Sequence, residues 1–324
     1  MELREIEKED FFQCLNYEKI PDRDNYLIMY SSFLKGYIKD PELMLVPVDD
    51  HMVHRGDGVF DVMRCVDGNI YQMEAHLRRL EDSARAIDLR LPPEYSEIRS
   101  IIKELVKIAG VRDCLIRVIL SRGPGSFSID PFDCPYPYLY VIVTRYKMPP
   151  KGYYVDGVKA ITTRIPMKHP FFAKIKSCNY LPNVLIKMEA KRQGCEFAIA
   201  IDEAGFILEG PTENVGVVGE DRVLRFPKLN RTLPGITVQR LYELSERLIK
   251  ANIINDRRFE DIHIEDAYRA REIFLCGTSI EIIPVIDMDD RIIGSGKPGE
   301  VFRVLNDALF NDMKGNPSLL TEVF

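Results

Sequence analysis

Nowhere in this chain of 324 residues does an apolar stretch approach the ~20 residues needed to span a bilayer, so no membrane partner is expected. Pro/Gly/Ser-rich tracts, single-letter runs and internal repeats are also missing, which leaves no segment that composition alone would keep unfolded. Basic charge is not in excess: the formal net charge is −6, with both signs mixed along the sequence, and no nucleic-acid footprint results. There is no C-x-x-C pair. The seven cysteines (14, 65, 114, 134, 178, 195 and 276) are scattered, without histidines at ligand spacing, and read as reduced core thiols rather than as a metal site. The start, MELREIEKED, lacks the basic-then-apolar layout of a secretory signal, so a cytoplasmic protein is expected. In that setting Arg55-Gly56-Asp57 is no adhesion signal and Asn230-Arg231-Thr232 no glycosylation acceptor.

What remains is a globular composition, 46% hydrophobic and 29% charged, in a chain too long for a single core of ordinary size. Two domains are expected, an N-terminal α/β domain over 1–145 and a larger, β-rich C-terminal domain with helices over 158–324. Pro149-Pro150 and Gly152 mark 146–157 as the linker, because they continue neither a helix nor a central strand. In the first part, Gly58 to Val66 and Asn69 to Met73 read as strands around a tight Asp67-Gly68 turn. Helical spacing follows over Glu74 to Asp88 and over Glu97 to Ala109, the latter stopped by Gly110. Cys114 to Ser121 and Tyr138 to Thr144 read as strands. In the second part the strands are Val158 to Ile165, Phe197 to Ile201, Glu213 to Val218, Val223 to Phe226, Glu272 to Cys276 and Ile282 to Ile286, with helices over Leu181 to Gln193, Thr237 to Ala251 and Pro298 to Lys314. The apolar side chains of the first 40 residues, among them Phe11, Phe12, Leu15, Ile20, Leu27, Ile28 and Phe33, are enough to pack on the first domain.

Four separate segments each offer something an anionic aromatic aldehyde would need. In AKIKSCNYLPN (173–183) a lysine stands in an extended run before a helix; Lys168, Lys174 and Lys176 lie among apolar residues, and a desolvated lysine loses pKa and becomes a usable nucleophile. ILEGPTENV (207–215) places Glu209 at a strand end. LPGITV (233–238) opens an amphipathic helix with a Pro-Gly turn, and the free N–H groups and positive dipole of such a start suit a phosphate. CGTSI (276–280), read between a strand and a short helical turn, adds the Thr278 and Ser279 hydroxyls.

Through these segments and DDHMVHRGDGVFD (49–61), the chain from about Leu27 onward resembles the fold-type IV, or class IV, pyridoxal-phosphate aminotransferases, most of all plant-type branched-chain-aminotransferase-like and D-amino-acid transaminase proteins. The resemblance implies pyridoxal 5'-phosphate as cofactor, a homodimer, and an amino acid and a 2-oxo acid as small-molecule partners. It implies Lys176 as the catalytic lysine that holds the cofactor and carries the proton from the substrate Cα, with Glu209 facing the pyridine nitrogen. Arg79, Ile236, Thr237 and Thr278 would hold the phosphate and Tyr180 the phenolic oxygen. The lyase that releases pyruvate from aminodeoxychorismate shares this machinery and is the enzymatic alternative; a cofactor-binding protein without turnover is a third reading.

Within the family the substrate pocket is atypical. The Arg-x-His carboxylate trap of bacillus-type D-amino-acid transaminases would fall near Phe127 and Ile129, and Arg55 and Leu115 stand where branched-chain enzymes keep tyrosines. An α-carboxylate still needs a cation, since a planar guanidinium is the usual device for holding one. Arg55, at the start of a strand leading from the pocket rim, and Arg117, inside the apolar run LIRVIL, are the two candidates, unless Asp57 or Asp61 pairs with them; Arg64 and Arg122 come next. D-amino acids are favoured over branched-chain L-amino acids.

Overall fold

The computed structural model describes residues 5–8, 10–11 and 21–324, so Phe12, Cys14, Leu15 and Ile20 lie outside the described residues. Two sheets organise the rest. The first is built from β1 (Tyr26–Ser31), β2 (Gly36–Ile38), β3 (Gly58–Val66), β4 (Asn69–Tyr71), β5 (Cys114–Ser121) and β6 (Tyr138–Arg145). The second comprises β7 (Val158–Thr163), β8 (Phe197–Ala200), β9 (Asn214–Val218), β10 (Val223–Phe226), β11 (Asp256–Phe259), β12 (Glu272–Gly277), β13 (Glu281–Met288) and β14 (Arg291–Ile292). A last strand, β15 (Leu320–Glu322), returns to the first sheet, which runs β15-β4-β3-β5-β6-β1-β2 and is antiparallel throughout. The second sheet runs β11-β10-β9-β12-β13-β7-β8, with parallel pairs β10/β11, β13/β7 and β7/β8.

The β3–β4 hairpin turns at Asp67 and Gly68, both at positive φ (50° and 83°), as a two-residue hairpin turn of this kind requires. β4 stops at Tyr71, and the next helix starts at Met73 and runs to Ala86. It buries Leu77, Leu80 and Ala84 against β3, together with Ile98, Ile102 and Leu105 of the helix Ile98–Ala109, which ends on Gly110 at φ 67°. Residues 146–157, expected as the linker, contain the short helix Lys151–Val155; Pro150 caps it, where a missing N–H costs nothing.

The long helix expected over Thr237 to Ala251 is two helices, Ile236–Leu244 and Glu246–Lys250, broken at the buried Ser245, whose hydroxyl donates back to the Tyr242 carbonyl at 2.7 Å. Strand and helices of the two parts share one core: Val66 and Tyr71 from the first sheet pack with Val238, Leu241, Phe302 and Leu305. The seam between the sheets is therefore a packed interface with cavities in it rather than an open cleft.

Candidate active site

On β3, Asp61 and Met63 point into the core of the first sheet while Phe60 and Val62 face the seam; on the neighbouring β5, Leu115, Arg117 and Ile119 share that seam face by the register Phe60↔Ile119, Val62↔Arg117 and Arg64↔Leu115. β4 pairs only with residues 64–66, so the start of β3 has an open edge. The extended run 176–178 fills it, through Phe60 N–H to the Lys176 carbonyl (2.9 Å) and Cys178 N–H to the Gly58 carbonyl (2.8 Å). Backbone pairing thus carries Lys176 onto the floor of a cavity of about 400 Å³ lined by Phe60, Arg79, Arg117, Tyr180, Thr237 and Thr278, among others.

The Lys176 amine is 3.3 Å from the Tyr180 hydroxyl and 4.8 Å from the centre of the Phe60 ring. Burial, reinforced by the positive charge of Arg79, pushes its pKa down to about 8. Glu209 lines a smaller chamber that shares Lys176, Tyr180, Asn214 and Leu233 with the main cavity. Its carboxylate accepts from the Leu233 N–H (3.0 Å) and from Asn214 Nδ2 (3.3 Å), and burial pushes its pKa up to about 7. Asn214 Nδ2 also donates to the Leu233 carbonyl at 3.1 Å, tying the carboxylate to the Pro-Gly turn.

That turn delivers the free N–H groups of Ile236 and Thr237 to the cavity wall. A Cβ on Gly235 would stand 1.9 Å from Asn214 Oδ1, so a larger residue would displace the amide that bonds Glu209 and the Leu233 carbonyl. Thr278 lies opposite, in the turn of the β12–β13 hairpin; the short helical turn expected there is absent, because the two strands pair through Gly277 and Glu281 and leave only a tight reversal. Arg79 completes this wall. Two parallel bonds of 2.8 Å join its guanidinium to Asp61, and a third nitrogen donates to the Pro234 carbonyl at 3.3 Å. Asp61 is fully buried and also bonds His76 Nδ1 at 2.7 Å; despite its burial, Arg79 and His76 hold its pKa below the usual carboxylate range. A larger groove, about 880 Å³, opens on the far side of Arg79, but Lys176, Glu209 and Thr278 do not reach it.

The other sequence candidates separate clearly. Arg117 lines the cavity, 5.4 Å from the Phe60 ring centre, with no carboxylate partner among the described residues. Arg55 does not start a strand. It ends the short helix His51–Arg55, exposed, and donates to the Phe127 carbonyl at 2.6 Å, outside the cavity of its own chain. Neither arginine pairs with Asp57 or Asp61: Asp61 is taken by Arg79, and Asp57 by two bonds of 3.0 Å from Arg122. Arg64 is buried behind the Thr237 and Thr278 wall, its Nε and Nη1 without hydrogen-bond partners among the described residues. Sequence reasoning missed Asp61 as the anchor of Arg79; the available signal was a carboxylate at a core position of an alternating strand, which requires a buried cation.

A family model described as amino-transferase class IV matches residues 58–287. The chain is 41% identical over 295 residues to a D-amino-acid transaminase, chloroplastic, of Arabidopsis thaliana, covering 90% of this chain and 78% of that protein. Its structure is similar to that of the T.th. branched-chain amino acid aminotransferase with pyridoxamine 5'-phosphate (TM-score 0.84, 25% identity, 92% of this chain and 99% of that one). It is also similar to the Escherichia coli branched-chain amino acid aminotransferase (TM-score 0.83, 25% identity, 92% and 100%).

Proposed function

The chain belongs to the class IV aminotransferases, with the fold-type IV architecture, and on that premise we propose that it moves an amino group between an amino acid, D-amino acids first, and a 2-oxo acid, using pyridoxal 5'-phosphate in the cavity around Lys176. The observation that carries this reading is the convergence, on a cavity between the two sheets and the small chamber that adjoins it, of a desolvated lysine, an enclosed carboxylate and an anion seat made of a helix start, a hydroxyl and an arginine. Their chemistry fits the cofactor: a nucleophilic amine for its aldehyde, a carboxylate for its ring nitrogen, donors for its phosphate. When bound, the cofactor supplies an aromatic ring that accepts the electron pair left at the substrate Cα.

The residues then divide the work. Lys176 in its neutral form holds the cofactor and takes the proton from the substrate Cα. Glu209, fixed by Leu233 and Asn214, keeps a proton on the ring nitrogen. Arg79, Ile236, Thr237 and Thr278 hold the phosphate, and Tyr180 steadies the phenolic oxygen. Arg117 is the first choice for a substrate carboxylate, since it lines the cavity with no protein anion beside it among the described residues. Arg55 belongs to this reading only in an assembly, where a second copy brings its loop to the pocket. A homodimer is therefore part of the proposal, and the exposed Ile129 and Phe132 (84% and 86%) on the loop beside Arg55 support it. So are a domain division at 146–157 and a cytoplasmic setting, although the Arabidopsis relative is named chloroplastic. The aminodeoxychorismate lyase reading is not favoured, because the relatives are named as transaminases.

Borohydride reduction of the cofactor-loaded protein, followed by peptide mapping, tests the core of the proposal: the adduct is expected on Lys176, and an adduct on Lys168 or Lys174 overturns it. Parallel assays of 2-oxoglutarate with D-alanine and with L-leucine, beside aminodeoxychorismate alone, separate the substrates. Sedimentation of the active protein reads its assembly.

A further inference from the structure

Lys168 is the cation beside the Glu209 chamber to which the proposed function gives no part. It stands in a segment, 166–169, without regular secondary structure, yet its side chain is directed inward. The amine donates to Ser177 Oγ at 2.9 Å, and Ser177 in turn donates to Asn179 Oδ1 at 2.5 Å. It also lies over the Tyr180 ring, 4.8 Å from its centre, while Phe60 packs edge-on against that same ring at 5.1 Å. Lys168 further lines the small chamber that contains Glu209. Among the described residues it makes no ion pair. A cation drawn into such a place without a carboxylate in contact loses hydration with no direct charge compensation, so its position calls for a role.

From this geometry we propose that Lys168 is a positioning residue for the transamination: it clamps Tyr180 and Ser177 from behind and supplies the lasting positive charge on the Glu209 side of the pocket. Glu209 makes its direct bonds to neutral donors, the Leu233 N–H and Asn214. The charged groups facing it are Lys176, Lys168 and the like-charged Glu213. Lys176 has to give up its proton to act as a nucleophile, whereas Lys168 keeps its charge and, beside the protonated ring nitrogen that the bound cofactor would bring, continues to oppose the burial of Glu209. Burial pulls the Lys168 pKa down, and the charge of Glu209 opposes that fall, so each of the two groups favours the other's ionised form.

The inference rests on the cofactor reading, and its test separates the two. Lys168→Gln, Lys168→Arg and Ser177→Ala are compared with the unaltered holoenzyme by titrating the visible band of the bound cofactor between pH 5 and 10, and by measuring kcat and KM. In Lys168→Gln the titration midpoint is expected to move up by about one unit, because losing a nearby cation raises the proton affinity of the groups around it, with kcat down roughly tenfold and KM within about twofold. Lys168→Arg is expected to restore both, and Ser177→Ala to leave the midpoint in place. Should the glutamine variant be unstable, Lys168→Met, which keeps the aliphatic stem, carries the same expectation. An unmoved midpoint and unchanged kcat in the neutral variants overturn the proposal, as does a Lys168→Arg enzyme as impaired as Lys168→Gln with neither midpoint moved. If the unaltered protein gains no visible band with pyridoxal phosphate, the cofactor reading itself has failed.

Discussion

The two ends of the cavity are built on opposite principles. At the anion seat every charged group is paired or hydrogen-bonded in the protein alone: Arg79 lies in a double bond to Asp61, Asp61 is held by His76, and the Pro-Gly turn is tied to Glu209 through Asn214. At the other end, Phe60, Val62, Leu115 and Ile119 surround Arg117, which has no protein anion among the described residues. A group that is the same in every turnover rewards a seat assembled in advance, since its ordering is achieved on folding. A ligand that arrives and leaves needs a free charge and a plain apolar wall. The difference fits relatives named for D- and for branched-chain amino acids sharing one fold, while the open end of this chain's cavity carries Leu115 and Arg117.

The sharpest way to break the contrast is at the prepared end. Asp61→Ala leaves Arg79 and His76 enclosed without their carboxylate, and unfolding of the cofactor-free protein is expected to show a loss of about 3–5 kcal/mol. Added cofactor should recover part of it, because its phosphate gives Arg79 a new anion; an unchanged melting temperature would show that the pair is not what organises this wall. Glu209→Gln comes next: kcat is expected to fall by roughly 100-fold, with a much smaller change in cofactor affinity, as for loss of a preorganised charge. Equal losses in both would return Glu209 to a purely structural part.

At the open end the effects are smaller and fall on substrate binding. Arg117→Leu is expected to raise KM for the amino donor or the 2-oxo acceptor by about 10-fold, the loss of one charge-assisted bond of ~1.5 kcal/mol, with the cofactor band intact. Arg55→Leu is expected to do the same only in the assembled protein. If KM is unaltered in both, Arg64, whose Nε and Nη1 have no hydrogen-bond partner among the described residues, is the next position to test.

The smallest expected effect concerns pH. With Lys176 at about 8, capture of cofactor by the apoprotein should accelerate as pH rises through 8 and then level off, since deprotonation creates the nucleophile. At pH 7 an amine of that pKa is about one tenth deprotonated, some ~300-fold more than an ordinary lysine. A capture rate that keeps climbing to pH 10 would place the reactive amine in ordinary solvent.

Much of this was legible in the residues. β3, β5 and β10 lie where alternation and apolar runs put them, Asp67-Gly68 turns the hairpin, and Pro234-Gly235 opens a helix. Those features are local: φ limits and side-chain periodicity act within a few residues. Illegible were β1, β2, β11 and β15, which are short or sit at sheet edges or beside them, where partners rather than pattern decide the strand. The same holds for the pairings inside the site. Asp61 was weighed as a partner for Arg55 or Arg117, and only packing of the helix Met73–Ala86 on β3 brings it to Arg79, leaving Arg117 without a carboxylate partner among the described residues.

The chemical inventory, then, was determined by the sequence alone: a lysine before a helix, a carboxylate at a strand end, a Pro-Gly helix start and a hydroxyl turn, because each of these needs only its neighbours to exist. Which lysine lies buried on the cavity floor, and which arginine lines that cavity without a carboxylate partner among the described residues, was decided by the tertiary structure. Charges choose partners by distance and burial, and both appear only when β3, the run 176–178 and the turn at 233–235 are brought to one cavity from separate parts of the chain.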